Sequence, residues 1–180
     1  MIRDIAVTPS QPTTEQDAVD MLLACHSRIR NFTAIAERIA EVGQNAAPAE
    51  VANAAEAVHR YYTVALPLHE ADENETVYPR LRQAMTDAGA PAEAVEAMVE
   101  QHGPIDDLIA ELVPLWERLK STPDQLPSVA ADMTAKCARL RRLWNEHLAL
   151  EEETVFPAIR RYLDAAALDE MREEMRARRL

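Results

Sequence analysis

The sequence predicts an all-α protein: an up-and-down antiparallel four-helix bundle, built from two pseudo-symmetric helical hairpins, with an extra C-terminal helix. Three observations lead there. Only three glycines and two phenylalanines occur among 180 residues rich in Ala, Glu, Leu, Met and Arg, and unbranched side chains of that kind lose little rotamer freedom on a helix. Turn residues divide the chain into four long stretches of helical apolar spacing joined by short polar connections, which makes successive helices antiparallel neighbours. Finally, residues 69–82, HEADENETVYPRLR, align without gaps on residues 147–160, HLALEEETVFPAIR, with eight of fourteen positions identical. Such a repeat implies two equivalent hairpins related by a pseudo-twofold.

The elements follow in order. Residues 1–13 form a flexible tail rich in Thr and Pro. Thr14 can cap a first helix that begins near Glu15, carries Leu22, Ile29, Ile35 and Ile39 on its apolar face, and ends near Gly43. Pro48 suits the first turn of a second helix, which runs to about Ala88 with breaks at Pro67 and Pro79 and a stop at Gly89. Pro91 opens the third, kinked at Pro104 and Pro114 and finished around Ser121, Thr122 and Pro123. The fourth spans about Pro127 to Arg161, so the bundle occupies residues 14–162. Residues 163–180 form a helix from about Asp164, packed on its outside.

Composition bounds the function. Apolar residues at 48% and charged residues at 28% describe one soluble domain with a sizeable core. A net charge of −12 with no basic cluster excludes nucleic acid and anionic membranes as partners. The start of the chain lacks a signal peptide and no apolar run is long enough to span a bilayer, so a cytoplasmic protein is expected. Cys25 and Cys137 fall in separate helices without paired spacing, which reads as two buried thiols rather than a disulfide or thiolate zinc site. With no catalytic triad, phosphate-loop or dinucleotide signature, any enzyme activity would have to occur at a metal centre.

The case for that centre lies in the repeat. Its identities include His69 with His147 and Glu73 with Glu151, while upstream His26 precedes its motif by 43 residues and His102 by 45, each opening an HxxI pattern. A His and a Glu four residues apart differ by only about 40° around a helix, so both reach one pocket. The helix registers bring His26 level with His69 and His102 level with His147. Four of five histidines are thus placed together inside a core where unpaired polar groups are costly. Four imidazoles and two carboxylates suit borderline metals, iron, manganese or zinc, and a di-metal centre with bridging carboxylates is the economical geometry.

Other residues fall near this stripe. Tyr62, seven before His69, returns to nearly the same face; it is either a core tyrosine with a satisfied hydroxyl or a pocket tyrosine that bonds an oxygen species at the metals. Thr76 and Thr154, seven after the motif histidines, return to the stripe and either bond the bridging carboxylates or their own backbone. His59 lies about 80° around the helix from His69, with Cys137 as its repeat partner, and is read as a non-ligand at most in the surround of the site. Glu70, Asp72, Glu75, Glu152 and Glu153 read as a solvated acidic face, and Trp144 as core wall that shields the centre.

The pattern H…HxxxE…H…HxxxE, with its acidic-Thr-Val-aromatic-Pro continuation, resembles the hemerythrin-like family, or HHE cation-binding domain, over residues 15–162. Residues 167–179 are similar to the tail helix of its bacterial members. The resemblance implies that His26, His69, Glu73, His102, His147 and Glu151 ligate a non-heme di-iron centre. It implies two iron ions, Fe2+ or Fe3+, joined by an oxo or hydroxo bridge, with Glu73 and Glu151 as bridging carboxylates. The chain departs from the oxygen-carrying hemerythrins, which use five histidines with HxxxH and HxxxxD in the second half, because here HxxxE repeats. The function expected is binding of, or reaction with, dioxygen, peroxide or nitric oxide, served by an unidentified redox partner. The alternative is an iron sensor, store or iron-centre repair protein without turnover. No motif sets an oligomeric state.

Overall fold

A computed structural model describes residues 17–42 and 45–180. Five helices follow: α1 Ala18–Val42, α2 over 48–87, α3 Glu93–Ser121, α4 over 126–162 and α5 Ala165–Ala177, with a 3₁₀ turn at Pro123–Gln125 before α4. Helix α1 packs on α2 and α4, and α3 packs on α2 and α4, so the four close into a ring in which chain neighbours are also spatial neighbours. Short connections then give the up-and-down topology expected. Helix α5 lies outside, across α1 and the middle of α2. Among the described residues there is no strand.

The caps show why the elements end where they do. Gly89, at φ 65°, stops α2 in the left-handed conformation that only glycine adopts freely, and Ala90 N–H turns back to the Met85 carbonyl at 2.8 Å. The Asp164 carboxylate accepts the Ala167 N–H at 2.9 Å and opens α5. Pro91 does not open α3, which starts two residues later at Glu93 with Ala92 as its cap. Thr14, Glu15, Gly43 and the expected tail over residues 1–13 lie outside the described residues.

The α2 prolines behave differently from expectation. Pro67 and Pro79 do not break α2, and Pro104 and Pro114 lie inside an unbroken α3. Instead, α2 and α4 relax into π-helical turns at Tyr61–Ala65, Asp72–Val77 and Glu151–Val155. In each, the residue just before a proline donates its N–H five residues back: Leu66 to Tyr61, Tyr78 to Glu73 and Phe156 to Glu151. A proline ring crowds the carbonyl four residues upstream and brings no N–H of its own, and the wider turn relieves that crowding without ending the helix.

The core divides into two apolar blocks. One runs from Ile29, Leu66, Ile105 and Leu148 toward the end containing Trp116, and the other from Leu22, Val77, Met98 and Val155 toward Met171 and Met175 on α5. On α1, α2 and α3 the change of block falls between Leu22 and Ile29, Leu66 and Val77, and Met98 and Ile105; on α4 it falls between Leu148 and Val155. The conspicuous histidines and glutamates sit at these junctions, as a polar layer sealed from both sides.

Candidate metal centre

Four helices converge their polar side chains on that layer. His26 comes from α1, His69 and Glu73 from α2, His102 from α3, and His147 and Glu151 from α4; none is more than 5% exposed. The repeat forces this arrangement. In each hairpin the motif histidine and glutamate are a turn apart, and the carbonyl of each glutamate starts the proline-driven π turn that follows. The rings pair within hairpins, His26 edge-on to His69 at 5.5 Å and His102 edge-on to His147 at 4.9 Å between centroids.

The two glutamates tie the pairs together. Glu73 Oε1 lies 2.9 Å from His69 Nε2, and Glu73 Oε2 lies 3.0 Å from His102 Nε2 and 4.0 Å from His147 Nε2. Glu151 Oε2 lies 2.9 Å from His26 Nε2 and 3.5 Å from His147 Nε2. Among the described residues two groups could each hold a metal ion: His26, His69, Glu73 and Glu151, and Glu73, His102 and His147. Within each group the donor atoms all lie within 4.8 Å of one another, and Glu73 belongs to both.

The chemistry of the donors fits cations. His26 Nε2, His69 Nε2, His147 Nε2, Glu73 Oε1 and both Glu151 oxygens are buried without a hydrogen-bond partner, although oxygen and nitrogen approach closely. Their separations are those of ligands around a common point rather than of well-aligned N–H···O bonds, and a layer of orphaned buried polar atoms is costly unless something satisfies it. Burial, with the neighbouring His69 charge, pushes His26 down to about 4, and burial pushes His147 down to about 3, so both are neutral and keep lone pairs free at neutral pH. Burial raises Glu151 well above the carboxylate range, and the adjacent Glu73 charge raises it further. Burial would also raise Glu73, but His69 and His102 outweigh it and hold that carboxylate ionised; His69, despite its own burial, is held protonated by Glu73. Two close carboxyl groups, one ionised and one kept neutral by its neighbour, are what a bound cation relieves.

The neighbours fall around the layer in different ways. Tyr62 is a core tyrosine: its hydroxyl bonds Thr33 Oγ1 at 2.7 Å and its ring stacks on Trp116 at 5.0 Å. Thr76 turns away from the carboxylates to bond Glu174 Oε2 at 3.1 Å and accept from Arg178 at 3.0 Å, and Thr154 is exposed. The cause is the π turn in each motif, whose extra residue rotates everything after it by on the order of 100° off the ideal stripe. His59 is outside the layer, paired with Glu117 at 3.0 Å. Trp144 is buried with its ring against His147 at 5.6 Å.

Two acids of the supposed solvated face are tied into the fold. Asp72 is fully buried between Arg178 at 2.6 Å and Arg179 at 2.5 Å, and Glu152 bonds His26 Nδ1 at 2.7 Å while Arg30 holds it at 2.9 Å. Sequence reasoning also passed over Cys25 and Gln101. Gln101 Oε1 lies 3.1 Å from His147 Nδ1, and the Cys25 thiol lies against His69, which with Arg28 and Arg179 lowers its pKa in spite of burial. A signal was available, since each is the residue immediately before a lone histidine, the same position in the two halves of the repeat.

Comparison with known proteins agrees with the geometry. The sequence profile described as "Hemerythrin HHE cation binding domain" matches residues 17–159 and also residues 93–178. An uncharacterized protein of Haemophilus influenzae is 28% identical over 177 residues, covering 95% of each chain. The first match takes in α1 to α4 through Ile159 with all six buried histidines and glutamates. A helical ring closed around two cation-sized clusters of imidazole and carboxylate, under a profile that spans them both, makes the chain a member of the hemerythrin HHE cation-binding domain family.

Proposed function

We propose that the chain binds two iron ions in this layer and uses them to bind or reduce a small oxidant, dioxygen, peroxide or nitric oxide. One ion would be held by His26, His69, Glu73 and Glu151, the other by His102 and His147 with Glu73 shared between them. The observation that carries the reading is Glu73, a single buried carboxylate common to two donor groups of nitrogen and oxygen. Bound iron would supply a ferrous–ferric couple and a coordination position for a small molecule.

The chain's own residues do the rest. Neutral His26 and His147 accept an ion without first losing a proton, whereas Glu151 and His69 must release the ones they hold. The apolar blocks above and below exclude bulk water, and Trp144 walls the His147 side. Donors no more than 5% exposed restrict the reactant to something small. A groove of about 120 Å³ between α1 and α4, lined by Arg30, Thr33 and Trp144 among others, approaches the layer from outside, because Trp144 touches His147 and Arg30 holds the acid that bonds His26. Reversible binding needs nothing further, and turnover needs an external electron donor.

The test is metal analysis of protein from iron-supplemented cells, with absorption spectra before and after dioxygen, peroxide and nitric oxide. Two irons per chain and a spectrum that changes with one of these support the proposal. Two irons with no response leave storage, sensing or iron-centre repair, and no iron or a single zinc overturns it.

A further inference from the structure

All four buried histidines aim Nε2 at a glutamate in the centre, so what distinguishes them is the other side of each ring. There the repeat holds in one respect and fails in another. The residue before each lone histidine lies beside the motif histidine of its own hairpin: Cys25 is close to His69, whose Nδ1 is buried without a hydrogen-bond partner among the described residues, and Gln101 accepts from His147 Nδ1. The residue after each central glutamate breaks the symmetry. Glu152, after Glu151, bonds His26 Nδ1 and is anchored by Arg30. Its counterpart Asn74, after Glu73, is exposed, and His102 Nδ1 is buried without a partner among the described residues.

This difference sets the tautomers. Glu152, an acceptor, fixes the proton of His26 on Nδ1 and leaves Nε2 as a bare lone pair facing the centre. His102 has only Glu73 to bond, through Nε2 at 3.0 Å, so its proton sits on the nitrogen that a metal needs. His102 must move that proton before it can ligate and then leaves Nδ1–H unsatisfied. A carboxylate accepting from Nδ1–H also makes the opposite nitrogen a better donor, and loss of such a partner typically weakens metal binding about 10–100-fold.

Building on the two-metal reading above, we propose that Glu152, positioned by Arg30, makes the two metal positions unequal. Glu152 makes His26 the better donor while His102 has no such partner behind its ring, so the position built on His26 and His69 binds its ion more tightly and the position built on His102 and His147 more weakly. Glu152 is a positioning residue acting through His26.

Two measurements test this. Ring ¹⁵N–¹H spectra of the metal-free protein should show His26 protonated on Nδ1 and His102 on Nε2, with the His26 preference lost in Glu152→Ala. Anaerobic titration with Co²⁺, followed by its visible absorption, should give two unequal steps in the native chain. Glu152→Ala should weaken the first by about 10–100-fold and leave the second in place, Arg30→Ala should shift the first step in the same direction by less, and Asn74→Glu should strengthen the second. Because Glu152 and Arg30 are partly solvent-exposed, these variants are expected to keep the helical fold, which circular dichroism checks. Two Co²⁺ ions bound with equal affinity, or unequal steps that Glu152→Ala leaves unchanged, overturn the proposal while the two-metal reading stands. No Co²⁺ bound by the native chain overturns both.

Discussion

Glu73 is the residue on which both donor groups depend, since each of its oxygens faces a histidine from a different helix. Glu73→Gln should therefore reduce bound metal from two ions per chain to nearly none, whereas His102→Ala should retain about one, measured by elemental analysis after exhaustive dialysis. Equal losses in the two variants would contradict the shared carboxylate. Tyr62 makes the opposite case. Tyr62→Phe removes the bond to Thr33, whose hydroxyl keeps its link to the Ile29 carbonyl at 2.8 Å. It should cost about 1 kcal/mol in chemical denaturation and leave metal content and spectrum unchanged; an altered spectrum would return the tyrosine to the pocket. The histidines and glutamates were legible in the sequence because a repeated i, i+4 pair is a strong periodic signal. Tyr62 and Thr76 were not resolved, because position on an ideal helix does not register a π turn lying between a residue and its reference histidine.

Helices α2 and α4 show how a local rule can be right about a residue and wrong about its effect. Every Pro that the sequence marks as a breaker in α2 instead marks the end of a π turn, because apolar residues on both sides still have to meet the core. The extra residue is absorbed at the ligand layer, where Glu73 and Glu151 sit. Helix α5 was legible as a helix from about Asp164, but not its purpose. Arg178 and Arg179, just after it, clamp the Asp72 carboxylate, next in sequence to Glu73, while Glu174 bonds Arg80 and Thr76. Ending the chain at Ala177 leaves Asp72 as a buried charge without a partner, which should cost about 3–5 kcal/mol and lower the melting temperature of the metal-free protein. Asp72→Asn in the shortened chain should recover part of that loss by removing the charge. If the shortened chain melts with the full one, the clamp is surface decoration.

The molecule as a whole is two apolar blocks holding apart a layer that neither stabilises, and its response to pH and metal follows from that. His26 and His147, pushed down to about 4 and about 3, stay neutral in the fold, whereas in the unfolded chain they titrate near 6.5. At these two histidines the unfolded state therefore binds more protons below about pH 6.5, and they should make metal-free protein lose stability as pH falls from there toward 4. Glu151 acts in the reverse sense. Held neutral by burial and by Glu73, it favours the fold below the unfolded carboxylate range, and that contribution is lost as pH rises through its raised folded value. Metal-free stability is thus squeezed from both sides, while bound cations reverse the second effect by taking Glu151 in its ionised form. The increase in melting temperature on adding Fe²⁺ anaerobically should accordingly grow with pH across the neutral range, and calorimetric titrations in buffers of different ionisation enthalpy should detect proton release on binding. A metal-induced shift that is flat in pH, with no proton released, would mean that neither Glu151 nor His69 holds a proton in the metal-free fold and that the layer is not assembled around those forms.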